Sequence, residues 1–232
     1  MPYYGYFDPT YLLVIIGAVL SLLASAKVKS TFSKYSKVHS LSGMTGAQAA
    51  EKILHFSGIF DVRIERIEGD LTDHYDPKSK VLRLSDSVYD NTSVAAVGVA
   101  AHECGHAVQD NKGYAPLRIR AALVPAANIG ATVSWPLILI GILLGGSKTL
   151  ITLGIILFSL AVLFQLVTLP VELNASGRAV TILAETGILQ GEEVGQTKKV
   201  LFAAALTYVA SAASMILQLL RLIILAGNRR ND

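Results

Sequence analysis

Cysteine occurs once in the 232 residues, as Cys104, so no intramolecular disulfide framework can hold the fold together. Charge is scarce as well: Asp, Glu, Lys and Arg make up 16% of the chain and hydrophobic residues 52%. A soluble domain usually carries about 25% charged residues, so this balance points first to a membrane protein. The net charge is only +3, with no long basic run and no aromatics interleaved with basic residues, which excludes a nucleic-acid partner. The apolar stretches contain almost no ionisable residues, which argues against a transporter. No internal repeat and no low-complexity segment is present.

What the chain does have is four apolar runs. Thr10 to Ala26 is flanked by tyrosines and followed by Lys27, Lys29, Lys34 and Lys37. By the positive-inside rule these lysines place residues 27 onward in the cytoplasm and the amino terminus outside. Ala24-Ser25-Ala26 looks like a signal-peptidase site, but no Lys or Arg precedes the apolar core, so cleavage is not expected. Ala121 to Ser147 and Thr149 to Val171 each exceed the roughly 20 residues a helix needs to cross a bilayer, and the short link between them predicts an antiparallel hairpin. Pro125 and Pro136 are expected to bend its first arm. Val200 to Leu220 supplies a fourth span. With four spans, Arg221, Arg229 and Arg230 fall outside, against the positive-inside rule; a re-entrant or interfacial last run is the alternative.

The segment Val99-Ala100-Ala101-His102-Glu103-Cys104-Gly105-His106 carries the chemistry. On a helix, His102 and His106 lie one turn apart on one face, able to grip one ion, while Glu103 reaches a water beside it. Neutral imidazole suits zinc, and a catalytic zinc needs three protein ligands with a fourth place left for water, whose proton Glu103 can take. Asn91 and Thr92 offer the helix start, and Ser93 to Val108 carries no charge except Glu103. Cys104, about 200° round from His102, faces away from the ion and packs.

Between Ser40 and Asp110 the pattern predicts a small mixed α+β domain. Thr45 caps a helix running to Phe56, a half-buried strand covers Val62 to Ile67, Asp76-Pro77-Lys78-Ser79 turns, and Val81 to Leu84 forms a strand ahead of the zinc-binding helix. That second strand is expected to line the cleft and pair with an extended substrate.

A third ligand is still required. His39, His55 and His74 remain, but Gln109 and Lys112 stand where a metzincin needs Gly and His. A carboxylate from a second helix is the other standard solution, and Glu172, just after Pro170 at the end of the third span, fits best. Arg178 could stabilise a tetrahedral oxyanion, or instead anchor to lipid phosphate or pair with a carboxylate. His74 or Tyr75 could donate to the same oxyanion; a plain turn role for Asp73 to Pro77 is the other reading.

An H-E-x-x-H before two spans and then Glu172-Leu173-Asn174-Ala175 resembles the integral-membrane zinc peptidases related to HtpX and the prenyl-protein protease. More closely, Leu71-Thr72-Asp73-His74-Tyr75-Asp76-Pro77, Leu82-Arg83-Leu84-Ser85, Ala101 to Gln109 and Pro170 to Ser176 resemble the YugP-like membrane zinc peptidases, over nearly the whole chain. The resemblance implies His102, His106 and Glu172 as ligands of one Zn2+ per chain and Glu103 as general base. Ser176 stands where the broader family has Asp, so the contact that Asp makes to a ligand histidine is expected to be weaker or to come from Asn174 or water.

The expected architecture is mainly α: a polytopic helical membrane protein of about four spans with a small α+β zincin-like catalytic domain. Its divisions are an N-terminal span over 1–26, a cytoplasmic catalytic domain over 27–120, a transmembrane hairpin over 121–171, a third-ligand helix and loop over 172–199 and a last span over 200–226. The expected activity is peptide-bond hydrolysis by zinc-activated water, in the inner (cytoplasmic) membrane with the site facing the cytoplasm. Expected partners are the lipid bilayer, a peptide or membrane-protein substrate and a membrane-protein adaptor. The rival reading is an inactive membrane scaffold or partner-binding protein that keeps zinc for structure.

Overall fold

The structure, a computed structural model, describes residues 8–228; the first seven residues of the expected N-terminal span, Arg229 and Arg230 lie outside the described residues. In chain order the elements are α1 (Tyr11–Tyr35), α2 (Gly46–Phe56), β1 (Arg63–Ile67), β2 (His74–Asp76), β3 (Val81–Ser85), α3 (Val94–Asn111), α4 (Ala115–Leu143), α5 (Lys148–Glu185) and α6 (Glu192–Asn228). The fold is mainly helical. Helices α1, α4, α5 and α6 are long and apolar enough to cross a membrane.

The chain forms two compact units. One holds the residues up to Leu23, Arg120–Val167 and those from Tyr208 on; the other holds Ala24–Ile119 and Thr168–Thr207.

Among the described residues, the regular structure of the first unit is all helix. Glycines let α4 and α5 meet backbone to backbone: Gly130 sits against the Leu157 carbonyl and Gly154 against Ser134 and Ile138. Ile138, Phe158, Val162 and Leu222 fill the centre, and the 39% exposed Trp135 meets Phe158 edge-on, its centroid 6.4 Å away. Helix α4 continues through Pro125 and Pro136 and α5 through Pro170. Ser214 of α6 donates to the Gly17 carbonyl of α1 at 2.7 Å. Arg221 lies over the Tyr11 ring, 4.1 Å from its centroid, donates to Thr10 and pairs with Asp8 at 3.7 Å. Its charge is therefore engaged by the start of α1, which weakens it as a topological signal.

The second unit carries the sheet. Thr45 and Gln48 form a reciprocal capping box at the start of α2, satisfying two otherwise orphaned backbone N–H groups. Strand β1 pairs with β3 in parallel, β2 pairs with β3 antiparallel, and the order is β1-β3-β2. This corrects the expected role of β3: as the central strand it has partners on both sides and cannot take on a substrate strand. The edges are β1 and β2. Strand β2 itself replaces part of the turn expected over Asp73 to Pro77. Helix α3 begins at Val94, and its cap is Ser93, whose hydroxyl accepts from Ala96 N–H, not Asn91 or Thr92. Ile53, Leu54, Leu82, Leu84, Leu183 and Leu189 are fully buried around α3, each contributing roughly 1.5–3 kcal/mol.

The expected boundaries at 171/172 and 199/200 fall inside continuous helices, since α5 runs on to Glu185 and α6 starts at Glu192. Composition changes there from apolar to polar, but a helix satisfies its own backbone and need not end where its surroundings change.

Candidate metal centre

His102 and His106 are successive-turn residues of α3, their rings edge to face at 84° with centroids 4.8 Å apart. Glu172 comes from α5, and its Oε2 lies 3.3 Å from His102 Nε2 and 3.5 Å from His106 Nε2. The three ligating atoms lie within 4.8 Å of one another. The pocket is nearly closed: the side chains are 14%, 11% and 3% exposed.

What brings α5 so close is Gly105. A Cβ at that position would stand 2.5 Å from the Ala175 carbonyl oxygen, so only a glycine lets the two backbones touch there. Gly177, also on α5, faces open space. Gly105→Ala and Gly177→Ala should therefore act in opposite directions. The first is expected to force the helices apart at a cost of about 1–3 kcal/mol, and to lower zinc affinity. The second should stabilise by up to about 1 kcal/mol through helix propensity, leaving zinc affinity unchanged. Thermal unfolding and zinc titration of both variants check this; equal behaviour would show that the close approach does not hold the centre together.

The donor set fits zinc. With bonds of ~2.0–2.1 Å, tetrahedral ligand atoms stand ~3.3–3.4 Å apart, close to the two separations above. Each histidine also has its other nitrogen occupied, which turns Nε2 toward the cluster: His106 Nδ1 lies 3.0 Å from Gln109 Oε1 and His102 Nδ1 lies 3.1 Å from Ser176 Oγ. Burial disfavours a charged His106, yet its hydrogen bond to Glu172 and the charges of Glu103 and Glu172 outweigh burial and raise its pKa. The same negative field suits a cation.

Glu103 is 8% exposed, and its carboxylate makes no hydrogen bond among the described residues. Its oxygens are not among the sealed, unsatisfied polar atoms, so they are open to the cleft, where a water molecule can meet them. Asp73, just before β2, faces the same charge. Burial raises its pKa although Ser85 donates to it from both N–H and hydroxyl, and the Glu103 charge adds to the rise. Cys104 is fully buried, its thiol 3.6 Å from the Ala50 carbonyl of α2, and burial pushes its pKa well up.

The other residues singled out from the sequence are engaged elsewhere. His74 Nδ1 lies 2.9 Å from the Thr72 carbonyl and its Nε2 3.4 Å from Arg83, so both ring nitrogens have partners. The Tyr75 hydroxyl donates to Asp110 at 2.9 Å and is not free to serve an oxyanion. Arg178 donates from Nε to Asn174 Oδ1 at 2.7 Å and lies over Tyr114. Ser176, not Asn174, contacts His102 directly, so the position expected to weaken the histidine's support supplies it. Gln109 was not legible as a site residue; its only sequence signal is an amide one turn beyond His106 in an otherwise small, apolar run.

Residues 10–227 match the family described as "Putative neutral zinc metallopeptidase". The chain is 49% identical over 220 residues to "Putative membrane protease YugP" of Bacillus subtilis (strain 168), an alignment covering 95% of this chain and 97% of that protein. No solved structure matches.

Proposed function

Because the chain belongs to this neutral zinc metallopeptidase family, we propose that it is a multi-pass membrane endopeptidase in which His102, His106 and Glu172 hold one zinc ion and Glu103 is the general base. The observation that supports this best is the convergence of two imidazole Nε2 atoms and one carboxylate oxygen, with Glu103 next to His102 on the same helix and its carboxylate without a hydrogen bond among the described residues. Held by His102, His106 and Glu172, a zinc ion would supply Lewis acidity to a peptide carbonyl and would acidify a water molecule. Glu103 takes the proton from the attacking water and passes it to the leaving amine nitrogen. The closed pocket keeps bulk water from screening these charges. Extended substrate pairs with the free edge of β2, the strand tied to α3 by the Tyr75–Asp110 hydrogen bond.

The rival, a scaffold that holds zinc for structure, closes its site with four protein ligands and has no use for Glu103. Incubating the purified full-length chain with a mixed peptide library separates the two. New amine and carboxylate termini that cease to form after chelation support the peptidase; zinc binding without cleavage supports the scaffold.

Topology belongs to the same proposal. The lysines after the first span support a cytoplasmic site by the positive-inside rule, and two apolar helices long enough to cross a membrane, α4 and α5, between His106 and Glu172 would return the chain to the same side. In a Cys104→Ala background, Asp90→Cys and Gln190→Cys should react with impermeant thiol reagent from the cytoplasm and Ser147→Cys from outside. That background is expected to keep zinc and activity, at about 1 kcal/mol of stability for the lost buried group. Labelling of positions 90 and 190 from opposite sides would end this topology.

A further inference from the structure

Gln109 is fully buried, and its amide is held from three directions. Its Nε2 donates to the Val171 carbonyl at 2.8 Å and to Asn174 Oδ1 at 3.0 Å, while its Oε1 faces His106 Nδ1 at 3.0 Å. Asn174 Oδ1 receives a second bond, from Arg178 Nε at 2.7 Å. These four contacts have only one consistent direction. A guanidinium can only donate, so the Asn174 atom facing it is oxygen. That oxygen can only accept, so Gln109 presents its NH2 group there and its oxygen to His106. That oxygen in turn can only accept, so His106 carries a proton on Nδ1, which keeps Nε2 as the nitrogen that can offer a lone pair to a metal ion. Turning the Gln109 amide over would set its oxygen against two acceptors, the Val171 carbonyl and Asn174 Oδ1.

We propose that Arg178, Asn174 and Gln109 form a polarity relay that fixes the tautomer and ring orientation of His106. All three are positioning residues, and Arg178 acts on the metal centre through two amides, not on substrate. His102 has no such directed support, because the Ser176 hydroxyl beside its Nδ1 can donate or accept. The inference rests on the reading of His106 as a zinc ligand.

The test is zinc affinity of the full-length purified chain, by competition with a chromophoric chelator, alongside the Co2+ ligand-field spectrum. Asn174→Leu and Arg178→Met are expected to weaken zinc about 10–100-fold, the usual worth of a group orienting a ligand, and to alter the Co2+ spectrum. Asn174→Asp, an acceptor that can receive the same two donors, should restore wild-type affinity. Arg178 is half-buried, so Arg178→Met keeps the test open should Asn174→Leu fail to fold. Equal loss in Asn174→Asp and Asn174→Leu would overturn the relay, as would a drop in turnover of Arg178→Met with zinc affinity and spectrum unchanged, which would place Arg178 on substrate. A wild-type chain that binds no zinc would overturn the metal-site reading, and the relay with it.

Discussion

Glu103→Gln is expected to bind zinc with wild-type stoichiometry and to lose peptide hydrolysis by about 10²–10⁴-fold, the usual worth of a positioned general base. The variant keeps the shape and burial of the side chain and removes only its ability to accept a proton. The proposed ligands are His102, His106 and Glu172, so the metal should stay. The amide adds hydrogen-bond donors to a place where the carboxylate has no partner among the described residues, so stability should change little. Metal content and cleavage rate of the purified variant decide the matter. Loss of zinc would mean that Glu103 is itself a ligand, and a rate loss of less than about tenfold would mean that another residue is the base.

Glu172→Gln should behave in the opposite way, losing metal first. Its carboxylate is nearly fully buried, and one oxygen lies within 3.5 Å of both histidine Nε2 atoms. The amide removes the one anionic ligand while preserving volume. Zinc affinity is expected to fall by more than about 100-fold, beyond the 10–100-fold attributed to groups that merely orient ligands. Activity should then return in part at high zinc, whereas that of Glu103→Gln should not. Wild-type zinc affinity in Glu172→Gln would remove α5 from the centre and leave the third ligand to be found elsewhere.

The sequence conveyed the local features well and the nonlocal ones poorly. Helix α2 and its Thr45 cap, strand β1 and strand β3 follow from periodicity and punctuation, which are properties of neighbouring residues. Strand β2 does not, because three residues between Asp73 and Pro77 are too few to display a period, and its existence depends on pairing with β3. For the same reason β3 reads as a free strand until both of its partners are known. The H-E-x-x-H helix announces itself through residue type and spacing, but the contribution of Gly105 depends on the Ala175 backbone 70 positions later. Gln109 is the clearest case. In the sequence it marks the absence of a metzincin pattern, and only the return of α5, with Val171 and Asn174, gives its amide a direction.

The most direct test of zinc-dependent peptide hydrolysis is a zinc titration of the metal-free, full-length chain with cleavage of a peptide library followed throughout. Cleavage should be absent without metal, rise linearly with added zinc and reach its plateau at one zinc per chain. Cleavage by the metal-free chain, or none at stoichiometric zinc with the ion bound, would contradict the account.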